Sequence, residues 1–132
     1  MTETRRVVVA IDRSGSPEAL TYAAAEAVRL GAALELVHVL DPHTRAGGAA
    51  DTDLFDHESA NRLAHSTESA RHQVFGQVVV TSRLAHGPIT ETLLSASTGA
   101  CLVVMGRHLG SRNDVAARCE VPVVVVPEGW LG

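Results

Sequence analysis

An aspartate and a glycine segment are the places where this sequence could do chemistry. Asp12 ends the apolar run Val7-Val8-Val9-Ala10-Ile11, and Gly106-Arg107-His108-Leu109-Gly110-Ser111 follows a second run, Val103-Val104-Met105. An apolar strand entering a glycine loop, with a serine opening the next helix, turns backbone N–H groups and a helix N-terminus toward one point. That arrangement suits an anionic phosphate. The same segment would serve as a simple tight turn ahead of a capped helix. A carboxylate at the end of a buried strand can accept from a ribose hydroxyl or a base amino group. It can also cap its own loop through the N–H groups of Ser14 or Gly15, as Asx-turns do, and spacing leaves both roles open.

Several other chemistries are excluded by what is missing. Every basic residue is arginine, so a Walker phosphate loop, which needs a lysine on phosphate, is ruled out. A phospho-receiver domain would cluster acids after strand one, end strand three in aspartate and place a lysine near strand five; only Asp12 remains of that set. Asp12-Arg13-Ser14-Gly15-Ser16 is not the G-x-G-x-x-G of a dinucleotide site, although Asp41 could reach a ribose. No G-x-S-x-G nucleophile elbow occurs. The histidines are His38, His43, His57, His65, His72, His86 and His108. His65 and His72 lie near one helix face but two turns apart, ~10 Å, too far for one metal. Asp53 and His57 are better spaced but straddle the start of a helix. Solvated surface histidines and no bound metal are the expectation, and Cys101 and Cys119 are expected as buried free thiols.

The formal net charge of −4, with no basic cluster longer than Arg5-Arg6, gives no footprint for nucleic acid. Hydrophobic residues at 45% and charged ones at 20% are ordinary for a globular protein. No apolar run approaches the ~20 residues that span a bilayer. Polar Met1–Arg6 leads straight into a strand and is not a secretory signal. A cytoplasmic, single-domain protein with a real core is expected.

Strand and helix signals alternate along the chain. Arg6–Ile11 reads as a strand buried on both faces. Ser16 as N-cap, Pro17 at the first helical position and Glu18 on the dipole open a helix that Gly31 closes. Leu34–Leu40 is the second strand; Asp41 to about Asp56 reads as a mobile loop, and a second helix covers about Leu54 to His72. Gln77–Leu84 is strand three. Gly87-Pro88 opens a helix carrying Ile89, Leu93 and Ala96, with Gly99 as terminator. Cys101–Met105 is strand four. Ser111 to about Cys119 is a short helix whose Ser111 and Asp114 are spaced like a capping box. Pro122–Val126 is strand five. Strands separated by helices imply a parallel, doubly wound α/β sheet, with ligand residues at the carboxyl ends of its strands.

These residues resemble the universal stress protein family. Val7-Val8-Val9-Ala10-Ile11-Asp12-Arg13-Ser14-Gly15-Ser16-Pro17 is similar to that family's strand-one signature of hydrophobics, Asp, Gly-Ser and Pro. Ala23-Ala24-Ala25-Glu26-Ala27 through Gly31-Ala32, then Leu36-Val37-His38-Val39, resemble its first helix and second strand. His86-Gly87-Pro88, Val103-Val104-Met105-Gly106 and Pro122-Val123-Val124-Val125-Val126-Pro127 resemble its third helix start, fourth strand and final strand. The resemblance runs in order over nearly the whole chain. It implies one domain over residues 1–132, a Rossmann-like sheet of order 3-2-1-4-5 akin to the adenine nucleotide alpha hydrolases, with helices on both faces.

Many members bind ATP through a G-x-x-G, a longer spacer and a G-[S/T] after strand four, while the strand-one aspartate and a valine ending strand two contact the adenosine. Asp12 and Val39 match, Gly106 matches the first glycine, and Leu109-Gly110-Ser111 resembles the closing L-G-S. Between Gly106 and Gly110 stand only Arg107, His108 and Leu109, so the intervening glycine and most of the phosphate loop are missing. The resemblance therefore implies an adenine-nucleotide site at Asp12, Val39, Gly106, Gly110 and Ser111, with ATP binding weak or lost. Arg107 or His108 could supply charge to a phosphate. The expected role is a binding or regulatory module of the stress response rather than a catalyst. It implies a homodimer through the Val123–Val126 edge, where Trp130 would anchor the interface or else dock on its own domain. Two alternatives stand beside it. One is a genuine ATP-binding member, or a nucleotide hydrolase or transferase using Asp12 and His108; the other is a ligand-free dimeric scaffold.

Overall fold

Runs such as Val7-Val8-Val9 have no polar face to show to water, so they belong in a sheet covered on both sides. The computed structural model describes residues 5–12, 16–40, 52–107, 109 and 112–129, with backbone only for 52–56 and 112. Its elements are β1 (Arg6–Ala10), α1 (Pro17–Leu30), β2 (Ala33–Leu40), α2 (Thr52–Val74), β3 (Val80–His86), α3 (Ile89–Ala96), β4 (Leu102–Gly106), α4 (Arg112–Arg118) and β5 (Val123–Val126). The strands form one five-stranded sheet in the order β3-β2-β1-β4-β5, and every pairing is parallel.

The alternation of side chains divides the core in two. Val7, Val9 and Ile11 of the first strand region, Leu34 and Leu36 of β2 and Val104 of β4 pack beneath α1 and α2 with Leu20, Ala23, Ala27, Leu63 and Val74. Val8, Ala10, Val37, Val103 and Met105 point to the other face, where Leu93, Ala96 and Val115 of α3 and α4 cover them. The fold is doubly wound. Because β1 and β4 are neighbours while their connections leave on opposite faces, a crevice opens at their carboxyl ends.

The elements match the sequence expectations, with differences at their borders. Gly31 takes the left-handed conformation (φ 64) and closes α1, with the N–H of Ala32 on the Ala27 carbonyl at 2.9 Å. α1 starts after Ser16 as expected, but Ser16 itself is left-handed (φ 47) and its side chain makes no cap bond to the helix. α2 begins at Thr52, inside the segment read as loop up to Asp56; residues 41–51 lie outside the described ones. β3 starts at Val80, not Gln77, because α2 runs on to Val74 and the chain then turns through left-handed Phe75 and Gly76. α3 stops at Ala96, with Ser97 rather than Gly99 as its C-cap. The proposed Ser111 cap falls on a residue outside the described ones.

At the amino end of the strands, Arg6 ties the sheet to α3. Its guanidinium donates to the carbonyls of Ala96 at 2.5 Å and Thr98 at 2.9 Å. It also lies 3.7 Å from the Glu35 carboxylate, which Arg83 of β3 meets at 2.9 Å. Among the described residues no helix is long and apolar enough to cross a membrane.

Candidate functional site

Strand register carries the sequence-marked residues to one end of the sheet. β1 pairs with β2 as far as Ala10 and Val37, so Asp12 and Val39 each stand two residues past the last matched pair. On the other side of β1, Ala10 pairs with Met105, which sets Gly106 one step beyond. Asp12 is half-buried, and Val39 packs against the core cluster that holds Ala10 and Met105. A side chain at Gly106 would place its Cβ 3.9 Å from Asp12 Oδ2 and 3.8 Å from Ser16 Oγ, so the glycine leaves a gap that a methyl group would fill.

A cavity of ≈20 Å³ lies here, lined by Asp12, Ser16, Glu18, Gly106, Arg107 and Glu128 among others. That volume holds about one water molecule. Arg107 is exposed at its edge. The structure therefore brings together Asp12, Gly106 and Arg107, while Val39 shares their level on β2 but does not line the cavity. His108, Gly110 and Ser111 lie outside the described residues, as do Ser14 and Gly15, the capping partners considered for Asp12.

Beyond Gly106 the chain turns at once. The Leu109 N–H donates to the Gly106 carbonyl at 3.3 Å, and Leu109 is buried in the α3–α4 core. An i to i+3 bond followed by an anchored leucine is a tight turn.

Asp12 is held from its main chain. Its N–H donates to Ser16 Oγ at 3.0 Å, which explains why Ser16 does not cap α1: its hydroxyl is turned back to the strand end. The preceding carbonyl, that of Ile11, accepts a hydrogen bond from His38 Nδ1 at 2.5 Å. His38 is buried, unlike the surface residue expected of it. One signal was present in the sequence: it lies inside the apolar run Leu36-Val37-His38-Val39-Leu40, where no solvent-facing position exists.

The other candidates stay apart. His57 and His65 are exposed on α2, and His72 sits 3.8 Å from Glu68 on the same helix. Among the described residues no group of His, Cys, Asp and Glu side chains could hold a metal ion. The cysteines are unbridged and half-buried. Cys101 Sγ lies 3.3 Å from the Arg6 carbonyl and Cys119 Sγ 3.5 Å from Ser97 Oγ.

The sequence profile of the Universal stress protein family matches residues 3–127. The chain belongs to that family. Solved universal stress proteins share its fold. The one from Archaeoglobus fulgidus in complex with dAMP has a TM-score of 0.77 at 23% identity, covering 96% of this chain and 99% of its own. A family member from Burkholderia pseudomallei gives 0.72 at 26% identity, covering 92% and 95%. An Arabidopsis thaliana universal stress protein with AMP bound gives 0.63 at 17%, covering 93% and 91%. No curated protein matches the sequence. In this universal stress protein, Asp12, Gly106 and Arg107 line the small cavity at the ends of β1 and β4, and Val39 stands at the same level on β2.

Proposed function

We propose that this universal stress protein, as one domain over residues 1–132, is a binding and regulatory module. It takes an adenine nucleotide at the Asp12–Val39–Gly106 crevice and holds ATP weakly. Asp12 would accept from the ribose, Val39 would pack on the base, and side-chain-free Gly106 would admit the sugar-phosphate backbone. Arg107, His108, Gly110 and Ser111 would face the first phosphate. Support for an adenine nucleotide comes from the dAMP and AMP complexes of the Archaeoglobus and Arabidopsis relatives. The observation that carries weak ATP binding is the turn closed between Gly106 and buried Leu109. A polyphosphate tail needs several backbone N–H groups around it, and only Arg107, His108 and Leu109 stand between Gly106 and Gly110 in the sequence. Glu18 and Glu128, which share the cavity with Asp12, add like charge that opposes a tail of three phosphates.

Titrating AMP into the purified protein by calorimetry tests the site. Saturable heat at one nucleotide per chain is expected; no heat at millimolar AMP would remove the proposed ligand. ATP turnover abolished by His108→Ala would replace a binding role by an enzymatic one.

A homodimer through β5 is the partner we propose. β5 pairs with β4 on one side, and Val125 is 40% exposed on it. Apolar edge strands of this kind invite a second strand; Trp130 lies outside the described residues. Val125→Lys is expected to convert the dimer to monomer in light scattering after size exclusion, with stability per chain little changed. A dimer that survives this substitution would place the interface elsewhere.

A further inference from the structure

We infer that His38 is a positioning residue for the nucleotide site, acting through the peptide group that joins Ile11 to Asp12. This rests on the proposed role of Asp12. The β1–β2 ladder ends at the pair Ala10 and Val37, and the next peptide groups must be fixed by other means. The Ile11 N–H donates to the Val37 carbonyl at 2.8 Å. The Ile11 carbonyl accepts from His38 Nδ1 at 2.5 Å, and the Asp12 N–H donates to Ser16 Oγ at 3.0 Å. The plane carrying Asp12 is thereby gripped at its oxygen from β2 and at its N–H from the start of α1. Ile11, His38 and Ser16 are 3%, 6% and 5% exposed, so water competes poorly for either bond.

A half-buried carboxylate that must meet a ribose gains affinity when its direction is fixed beforehand. An apolar residue at position 38 would complete the core equally well, yet it would leave the Ile11 carbonyl without this donor. Histidine there serves the strand end. Its effect on ligand passes through Asp12, since the bond it makes is to the adjoining carbonyl.

His38→Asn and His38→Leu separate positioning from packing. Asparagine can present an N–H near the place of Nδ1, whereas leucine keeps bulk and offers no donor. AMP affinity should fall about tenfold in His38→Leu and within about twofold of the parent in His38→Asn, as loss of one buried hydrogen bond implies. In an Asp12→Ala background the His38→Leu loss should disappear, because the group it orients is gone. A loss that persists in that background, or a His38→Leu protein that binds as the parent does, overturns the inference. Should His38→Leu not fold, His38→Gln, whose amide reaches past the Ile11 carbonyl, replaces it with the same expected loss. The backbone amide of Asp12, followed by NMR without ligand, gives an independent reading. Its signal should broaden or double in the leucine variant and stay single in the asparagine variant; a single unshifted signal in both overturns the inference. Failure of the parent to bind AMP would overturn the nucleotide site and leave this amide result to decide the positioning role.

Discussion

Asp12→Ala is expected to weaken AMP and adenosine binding by about tenfold to a hundredfold, which corresponds to the about 1.5–3 kcal/mol of a charge-assisted hydrogen bond. Both ligands should lose the same factor, since the carboxylate is proposed to meet the ribose and not the phosphate. Asp12→Asn keeps the shape and one acceptor oxygen but not the charge, so it should lose less than alanine. The unfolding midpoint in urea should move far less than for a truncation in the sheet core. Leu36→Ala, at a fully buried position, would cost about 2–5 kcal/mol. AMP affinity unchanged by Asp12→Ala would return Asp12 to the loop-capping role that its spacing also allowed.

Arg6→Ala is expected to destabilise the fold by about 2–3 kcal/mol, a large effect for a residue outside the hydrophobic core. Two carbonyls accept from its guanidinium, those of Ala96 and Thr98 at the end of α3, and its Nε lies 3.7 Å from the Glu35 carboxylate, which Arg83 also meets. An exposed ion pair would contribute little, but here the arginine closes a helix end against the sheet. Arg6→Lys should recover less than half of the loss, because the ammonium sits on a shorter stem and falls short of the Nη2 position that meets both carbonyls. Urea unfolding with an unchanged slope is the measurement. A lysine variant as stable as the parent would show that charge alone suffices there.

The sheet was legible because its strands are buried on both faces. Val7-Val8-Val9 and Val103-Val104-Met105 can be little else, and Ser16-Pro17 with Gly31 bracket α1 clearly. Borders were less legible where one residue type serves two ends. Asp53 and Asp56 read as loop polarity, yet acids also suit the first turn of a helix, and α2 begins at Thr52. Gln77-Val78-Val79 has strand composition, but the helix before it ends only at Val74, and the intervening residues are needed to turn the chain. Of the candidate residues, Asp12 and Gly106 could be named from strand ends and Val39 from the family resemblance, and parallel register sets their level. The grip on Asp12 could not be read this way. Ser16 looks like any N-cap until its left-handed backbone turns the hydroxyl toward Asp12. His38 looks like any histidine until β1 and β2 set it against Ile11. Arg6 likewise draws its weight from Ala96 and Thr98, ninety residues and more away in the chain.

The central proposal is that Asp12, Val39 and Gly106 meet a nucleoside while the short Gly106–Leu109 turn leaves a phosphate chain few donors. The ratio of ATP to AMP affinity, measured by calorimetry on one protein sample in one buffer, tests it most directly. ATP is predicted to bind no tighter than AMP, within about threefold, as expected when phosphates beyond the first find no N–H donors. ATP held at sub-micromolar concentration, and tenfold or more tighter than AMP, would contradict it.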